Sequence, residues 1–164
     1  MKDAQIDEKL LESICKKIVS IAEELISLSK DKPTFLLHFP RGATPIVEGI
    51  VAAAQMLSDS KRIPFKVIYI PISLEEAISA RDYDFLYKML EERLQEIPKN
   101  SHIVYVDEAI SGRNSLAITE KLYNLLKRKG CRLYVRLFVS KNGAEFTTVS
   151  YTHLRAHETE ADLV

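Results

Sequence analysis

Ile103-Val104-Tyr105-Val106-Asp107-Glu108-Ala109-Ile110-Ser111-Gly112-Arg113-Asn114-Ser115 is the stretch on which the fold turns. An apolar, β-branched run from His102 to Val106 reads as a strand buried on both faces. It delivers two adjacent acids and then a Ser-Gly-x-x-Ser turn over Glu108 to Ser115. Leu116 to Lys129 follows with helical spacing, and Gly130 stops it at the position where helices end on a left-handed residue. Cys131 to Val139 is the next apolar strand. Strand, loop, helix, strand in this order is the unit of a parallel sheet.

Upstream, the same alternation holds. Ile6, Leu10, Ile14, Ile18, Ile21, Leu25 and Leu28 step by threes and fours, which predicts one amphipathic helix from about Asp3 to Lys30. Thr34 to Phe39 is a short apolar run read as a buried strand, and Pro40 to Pro45 a tight turn. Ile46 to Leu57 is expected to be a helix and Phe65 to Ile72 a strand. Leu74 to Ile97 is helical and breaks near Arg81-Asp82-Tyr83-Asp84. The expected architecture is α/β: a mostly parallel sheet with helices on both faces, Rossmann-like and three-layered, preceded by a long N-terminal helix. Ligands in such sheets bind beyond the C-terminal ends of the strands. Two loops lie there and carry chemistry: Pro40 to Pro45 and Asp107 to Ser115.

The bulk composition narrows the classes. The chain has 164 residues, 46% hydrophobic and 28% charged, with a formal net charge of +0. That suits one compact domain and gives no field that would gather nucleic acid or a membrane surface. No apolar run is long enough to span a bilayer. Charged and apolar residues alternate at the N-terminus, unlike a signal peptide. Cys15 and Cys131 have no metal-type spacing and read as reduced thiols, so the expected compartment is the cytoplasm.

The acid-bearing loop can do specific work. Backbone N–H groups of the Ser111–Ser115 turn, at a helix N-terminus, form a nest for an anion. The acids could hold sugar hydroxyls or a hydrated Mg²⁺. The plain alternative is an ordinary turn with Ser115 as N-cap. The stretch resembles the 5-phosphoribosyl-1-diphosphate (PRPP) loop of the phosphoribosyltransferase family. That loop usually has two acids, three residues, Thr-Gly, one residue and Thr. Here Asp107 and Glu108 stand two residues before Ser111-Gly112. Counted from Val106-Asp107 the spacing is three and one acid is missing.

The first loop joins the resemblance. Phe39-Pro40-Arg41-Gly42-Ala43-Thr44-Pro45 stands where that family has an Arg-Gly-Gly-type loop for the pyrophosphate, with Ala43 at the place of a second Gly. Taken alone it would be a Pro-rich turn with a solvated Arg41. The resemblance covers roughly Thr34 to Ser140. It implies a phosphoribosyltransferase that binds Mg²⁺-PRPP and passes the phosphoribosyl group to a nitrogenous base. Asp107 and Glu108 would serve ribose and, through water, the metal. Ser111, Gly112, Arg113, Asn114 and Ser115 would hold the 5-phosphate, and Arg41, Gly42, Ala43 and Thr44 the pyrophosphate. Homodimerisation is left open, and neither a membrane nor nucleic acid is an expected partner. Arg81, Asp82 and Lys88 stand where the family often has a mobile loop, and the simpler reading is a solvated helix face. His38 reads as a core histidine.

Two rival functions are weighed. The shortened or one-acid loop suits a nucleotide-sensing module without turnover. Tyr105 to Gly112 also resembles a segment of serine recombinase catalytic domains, but Ser73 has Pro71 and Ile72 before it where an Arg is wanted.

The end of the chain reads differently. Val149-Ser150-Tyr151-Thr152-His153-Leu154-Arg155-Ala156-His157-Glu158-Thr159 has no hydrophobic period. It resembles a translated frame of the transposase adapter of short-read sequencing libraries, and Asp162-Leu163-Val164 resembles the constant primer beyond the index. The expected division is therefore 1–148, an α/β domain incomplete at its C-terminus, and 149–164, a non-native tail. On that reading His153 and His157 are not metal ligands, and the fourth strand should leave apolar surface open.

Overall fold

The computed structural model describes residues 8–40, 43–73, 81–109, 113–141 and 145–152, with the backbone alone described at 109, 113–117, 139–141 and 145–152. The elements run α1 (Glu8–Leu28), β1 (Thr34–His38), α2 (Ala43–Leu57), β2 (Lys66–Tyr69), α3 (Tyr83–Leu94), β3 (His102–Ala109), α4 (Arg113–Lys127), β4 (Arg132–Lys141) and β5 (Glu145–Thr152). The sheet order is β2-β1-β3-β4-β5. β1 to β4 are parallel, in the register Leu36↔Val67, Leu36↔Val104 and Val104↔Tyr134. β5 runs antiparallel on β4.

β1, β3 and β4 each divide their side chains between two cores, whereas β2 at the edge buries only Ile68. Leu36, Val104, Val106, Tyr134 and Phe138 pack under α1 and α2 through Ile21, Leu25, Val47, Ile50 and Ala54. Phe35, Leu37, Ile103, Tyr105, Val135 and Leu137 pack under α3 and α4 through Leu86, Leu90, Ile118, Leu122 and Leu126. This is the strand alternation of period two, with apolar residues on both faces because both faces are covered. Each fully buried Leu, Ile or Val contributes about 1.5–3 kcal/mol against staying exposed. Gly49 on α2 lets α1 come close: a Cβ there would stand 3.2 Å from Ile18 Cδ1. α1 is also tied to β4 by a bidentate pair, with Arg136 donating to Glu24 at 2.6 and 3.1 Å.

Several boundaries differ from the sequence reading, each for a physical reason. α2 begins at Ala43, so Thr44 and Pro45 lie in its first turn, where proline loses no intrahelical bond. α3 begins after Asp82, whose side chain accepts from Phe85 N at 3.4 Å. Arg81 takes φ 54° just before this start, and the helix expected over 74–80 lies outside the described residues. β3 runs on to Ala109 because β4 pairs with it throughout; Asp107 and Glu108 are strand residues, not loop. α4 begins at Arg113, which puts Ser115 inside the helix and removes it as N-cap. Gly130 has φ 68°, with Gly130 N bonded to Lys127 O and Cys131 N to Leu126 O, the double closure of a Schellman end. β4 is an inner strand paired on both edges, so the open edge expected there is covered by β5. Val149–Thr152, read as the start of the tail, form the second half of β5. Residues 153–164 lie outside the described residues. Cys15 and Cys131 are free thiols. Among the described residues, no helix is long and apolar enough to cross a membrane.

Candidate functional site

The sheet order locates the site before any side chain does. From β1 the chain passes through α2 to β2 on one side; from β3 it passes through α4 to β4 on the other. The direction of winding reverses between β1 and β3, which are neighbours. A crevice opens at such a switch point beyond the strands' C-terminal ends. Both loops singled out in the sequence leave from these two strands. The N-termini of α2 and α4 flank the crevice on opposite faces, and their unbonded N–H groups favour an anion.

Asp107 lies two residues before the C-terminal end of β3, half-buried, in register with Leu137. Its Oδ2 accepts from the Tyr105 hydroxyl at 2.7 Å and its Oδ1 from the Glu108 amide at 2.8 Å. Tyr105 is fully buried and its ring meets Phe39 edge-on, centroids 5.9 Å apart. The carboxylate is thus held at one orientation by a group locked in the core. Glu108, one residue on, points to the other face of the pleat and is exposed. The two adjacent acids therefore do not converge. Val106, the other residue considered for the acid pair, is buried in the core under α1 and α2.

His38 ends β1 beside this carboxylate. It is buried, with Nδ1 3.2 Å from Phe39 O and its ring 5.2 Å from that of Tyr69. Burial pushes its pKa below the ordinary 6.5, while the Phe39 carbonyl and the Asp107 charge pull the other way. His38 and Thr44 open a groove of about 370 Å³ that runs along α2 past Glu48 and Gln55 and is walled by Val67. The expectation of a satisfied core histidine holds for its burial and bonding, and the ring also fronts this groove.

The remaining predicted residues divide as follows. Ala43 is buried, so only its backbone can serve a ligand, and Thr44 is half-buried at the start of α2. Arg113, Asn114 and Ser115 form the first turn of α4. Arg41, Gly42, Ser111 and Gly112 lie outside the described residues. Sequence reasoning missed Tyr105 as the partner of Asp107. The signal was there: residues two apart on a strand share a face.

A metal would meet a sparse donor set. Among the described residues, no group of three or more His, Cys, Asp or Glu is placed to hold one. That excludes an all-protein cage there, but suits Mg²⁺, which keeps waters and takes one or two carboxylates beside substrate oxygens. Asp107 fits that role. Glu108, on the opposite face of the strand, does not join it.

No family model and no curated protein sequence matches the chain. Solved structures do. The hypoxanthine-guanine phosphoribosyltransferase of Leishmania tarentolae, in complex with GMP, aligns over 84% of this chain and 70% of its own, at 17% identity and TM-score 0.51. A hypoxanthine-guanine-xanthine phosphoribosyltransferase aligns over 82% and 66%, at 15% identity and TM-score 0.46. The hypoxanthine phosphoribosyltransferase of Trypanosoma cruzi aligns over 82% and 70%, at 12% identity and TM-score 0.47. This chain thus spans about two thirds of those proteins' lengths. The first likeness establishes the fold: an α/β sheet of the phosphoribosyltransferase type.

Proposed function

We propose that the chain binds a phosphorylated ribose at the switch point, with Mg²⁺-PRPP as donor, and transfers the phosphoribosyl group to a nitrogenous base. The observation that carries this reading is Asp107, held at the crevice edge by the buried Tyr105 hydroxyl between two helix N-termini. An oriented carboxylate there suits ribose hydroxyls, and helix N-termini suit the phosphates at either end of the donor.

In the reaction, the bond from ribose C1 to pyrophosphate breaks with its electron pair leaving on pyrophosphate. A ring nitrogen of the base forms the new bond to C1 and gives up its proton. The transition state is oxocarbenium-like, so the site gains rate by favouring positive charge on the ribose and negative charge on the leaving group. Asp107 supplies the first. Arg41, Gly42 and the N-terminus of α2 at Ala43 and Thr44 supply the second. Ser111 to Ser115, at the N-terminus of α4, hold the 5-phosphate. Bound Mg²⁺, held by Asp107 through water, would neutralise pyrophosphate charge. The fold type suits a protein of the cytoplasm, alone or as a homodimer.

A second reading has an observation in its favour. Asp107 and Glu108 project from opposite faces of β3, so one acid, not two, faces the ribose. That suits a nucleotide-sensing module that binds without turnover. Isothermal titration of Mg²⁺-PRPP into the chain, with pyrophosphate release followed in parallel, separates the outcomes. Binding that Asp107→Ala abolishes, with pyrophosphate released when a base is added, supports the transferase. Binding without release supports the sensor. Absence of heat at millimolar PRPP rejects both.

A further inference from the structure

The opposite edge of the sheet carries a second pocket. Its volume is about 540 Å³, within the range of small-molecule sites. It opens where α1 and α2 end and the chain approaches β2. Ile26, Ile63 and Pro64 form an apolar floor. Lys30 and Arg62 stand on it with the hydroxyls of Ser29, Ser58 and Ser60, and no acidic residue lines it.

Three details separate this pocket from an ordinary pair of helix ends. First, the helix ends close on their own backbone. Ser60 N bonds to Gln55 O and Asp59 N to Met56 O, with Asp59 at φ 47°; at α1, Lys30 N bonds to Ser27 O and Asp31 N to Leu28 O. Second, the two cations are not used as caps. At the end of α3, Lys129 Nζ donates to Leu94 O at 2.6 Å, which is how a lysine serves a helix C-terminus. Among the described residues, the side chains of Lys30 and Arg62 make no hydrogen bond or ion pair of this kind. Third, Ser58 Oγ is, among the described residues, the one buried side-chain nitrogen or oxygen with no hydrogen-bond partner. A hydroxyl shut from water without a partner costs about 1–3 kcal/mol, and a turn about χ1 toward a ligand would recover it.

From this we infer that the pocket binds a small molecule bearing one phosphate or carboxylate on an apolar body. The anion sits between Lys30 and Arg62, with Ser58 and Ser60 donating, and the body rests on Ile26, Ile63 and Pro64. Charge-assisted bonds to two full positive charges oppose the partial negative charge of the two helix ends. The site stands apart from the proposed PRPP site, at the N-terminal rather than the C-terminal edge of the sheet, and does not depend on it.

Amide shifts of the whole chain, titrated with phenyl phosphate, benzoate, inorganic phosphate and phenol, test this. The expected result is saturable movement of Ser29, Ser58, Ser60 and Ile63 with phenyl phosphate or benzoate, weaker with inorganic phosphate and absent with phenol. The first two arms tell phosphate from carboxylate. Lys30→Ala and Arg62→Ala, both at exposed positions, should each weaken binding at least tenfold. Ser58→Ala should weaken it while raising Tm, since removing a buried unpartnered hydroxyl relieves its desolvation cost. Three results overturn the inference: no saturable shift at millimolar probe, shifts undiminished in both cation variants, or shifts confined to residues around Asp107.

Discussion

Two buried histidines stand at opposite ends of the sheet, each 5% exposed, and they are built in differently. His102 opens β3. Its Nε2 meets Asp31 Oδ1 at 3.2 Å, its Nδ1 meets the Tyr134 hydroxyl at 3.4 Å, and its ring packs edge-on against Tyr134. Those partners lie far off in sequence, so the contacts cross-link the end of α1, β3 and β4. His38 closes β1, and its bonded partner is the carbonyl of the next residue. Asp107 beside it likewise bonds within its own strand, to Tyr105 and Glu108. Long-range bonds hold elements together. Local bonds fix a side chain's direction. On the proposed reading, one end of the sheet is scaffold and the other is the ligand end.

That contrast can be broken by mutation. The largest effect is expected from the scaffold's ion pair. The Arg136 and Glu24 side chains are only 12% and 26% exposed, and Glu24→Ala would leave the guanidinium without its carboxylate. A loss of about 3 kcal/mol should follow in urea unfolding, with PRPP affinity unchanged. Gly130→Ala comes next. A Cβ there would fall 2.6 Å from Asn100 Oδ1 at φ 68°, so about 2 kcal/mol should be lost, again with binding intact.

At the other end the pattern should invert. Asp107→Asn keeps an acceptor for Tyr105 and should cost less than about 1 kcal/mol, yet remove PRPP binding. The smallest effect is a slope. Because burial holds the folded His38 below 6.5, the unfolded chain takes up a proton first as pH falls. Stability is therefore full above that value and declines as pH drops below it toward the folded pKa. His38→Gln should flatten Tm between about pH 7 and 5.5, and an unaltered slope would assign the titration elsewhere.

The fold was largely legible because its strands are apolar on both faces and its helices keep their period. Gly130 was marked by the residue type its backbone angle demands, and the start of α3 by Asp82, its N-cap. β5 was not legible: Phe146 to Thr152 is rich in β-branched and aromatic residues, but its pairing with β4 is long-range and its second half carried the look of the tail. At the site, Asp107 and the two loops could be read from order and spacing. That Asp107 and Glu108 diverge could have been read as well, had β3 been extended by the length that pairing with β4 imposes. Tyr105 and His38 were hidden by their apolar neighbours, since a buried polar residue in a strand looks like core until its partner is known.

The most direct test maps where Mg²⁺-PRPP acts on the whole chain by amide shift perturbation. The account predicts saturable shifts confined to the C-terminal edge, at His38 to Thr44 and Asp107 to Ser115, and lost in Asp107→Asn. Shifts centred on His102, Asp31 and Tyr134, or shifts that persist in Asp107→Asn, would contradict it.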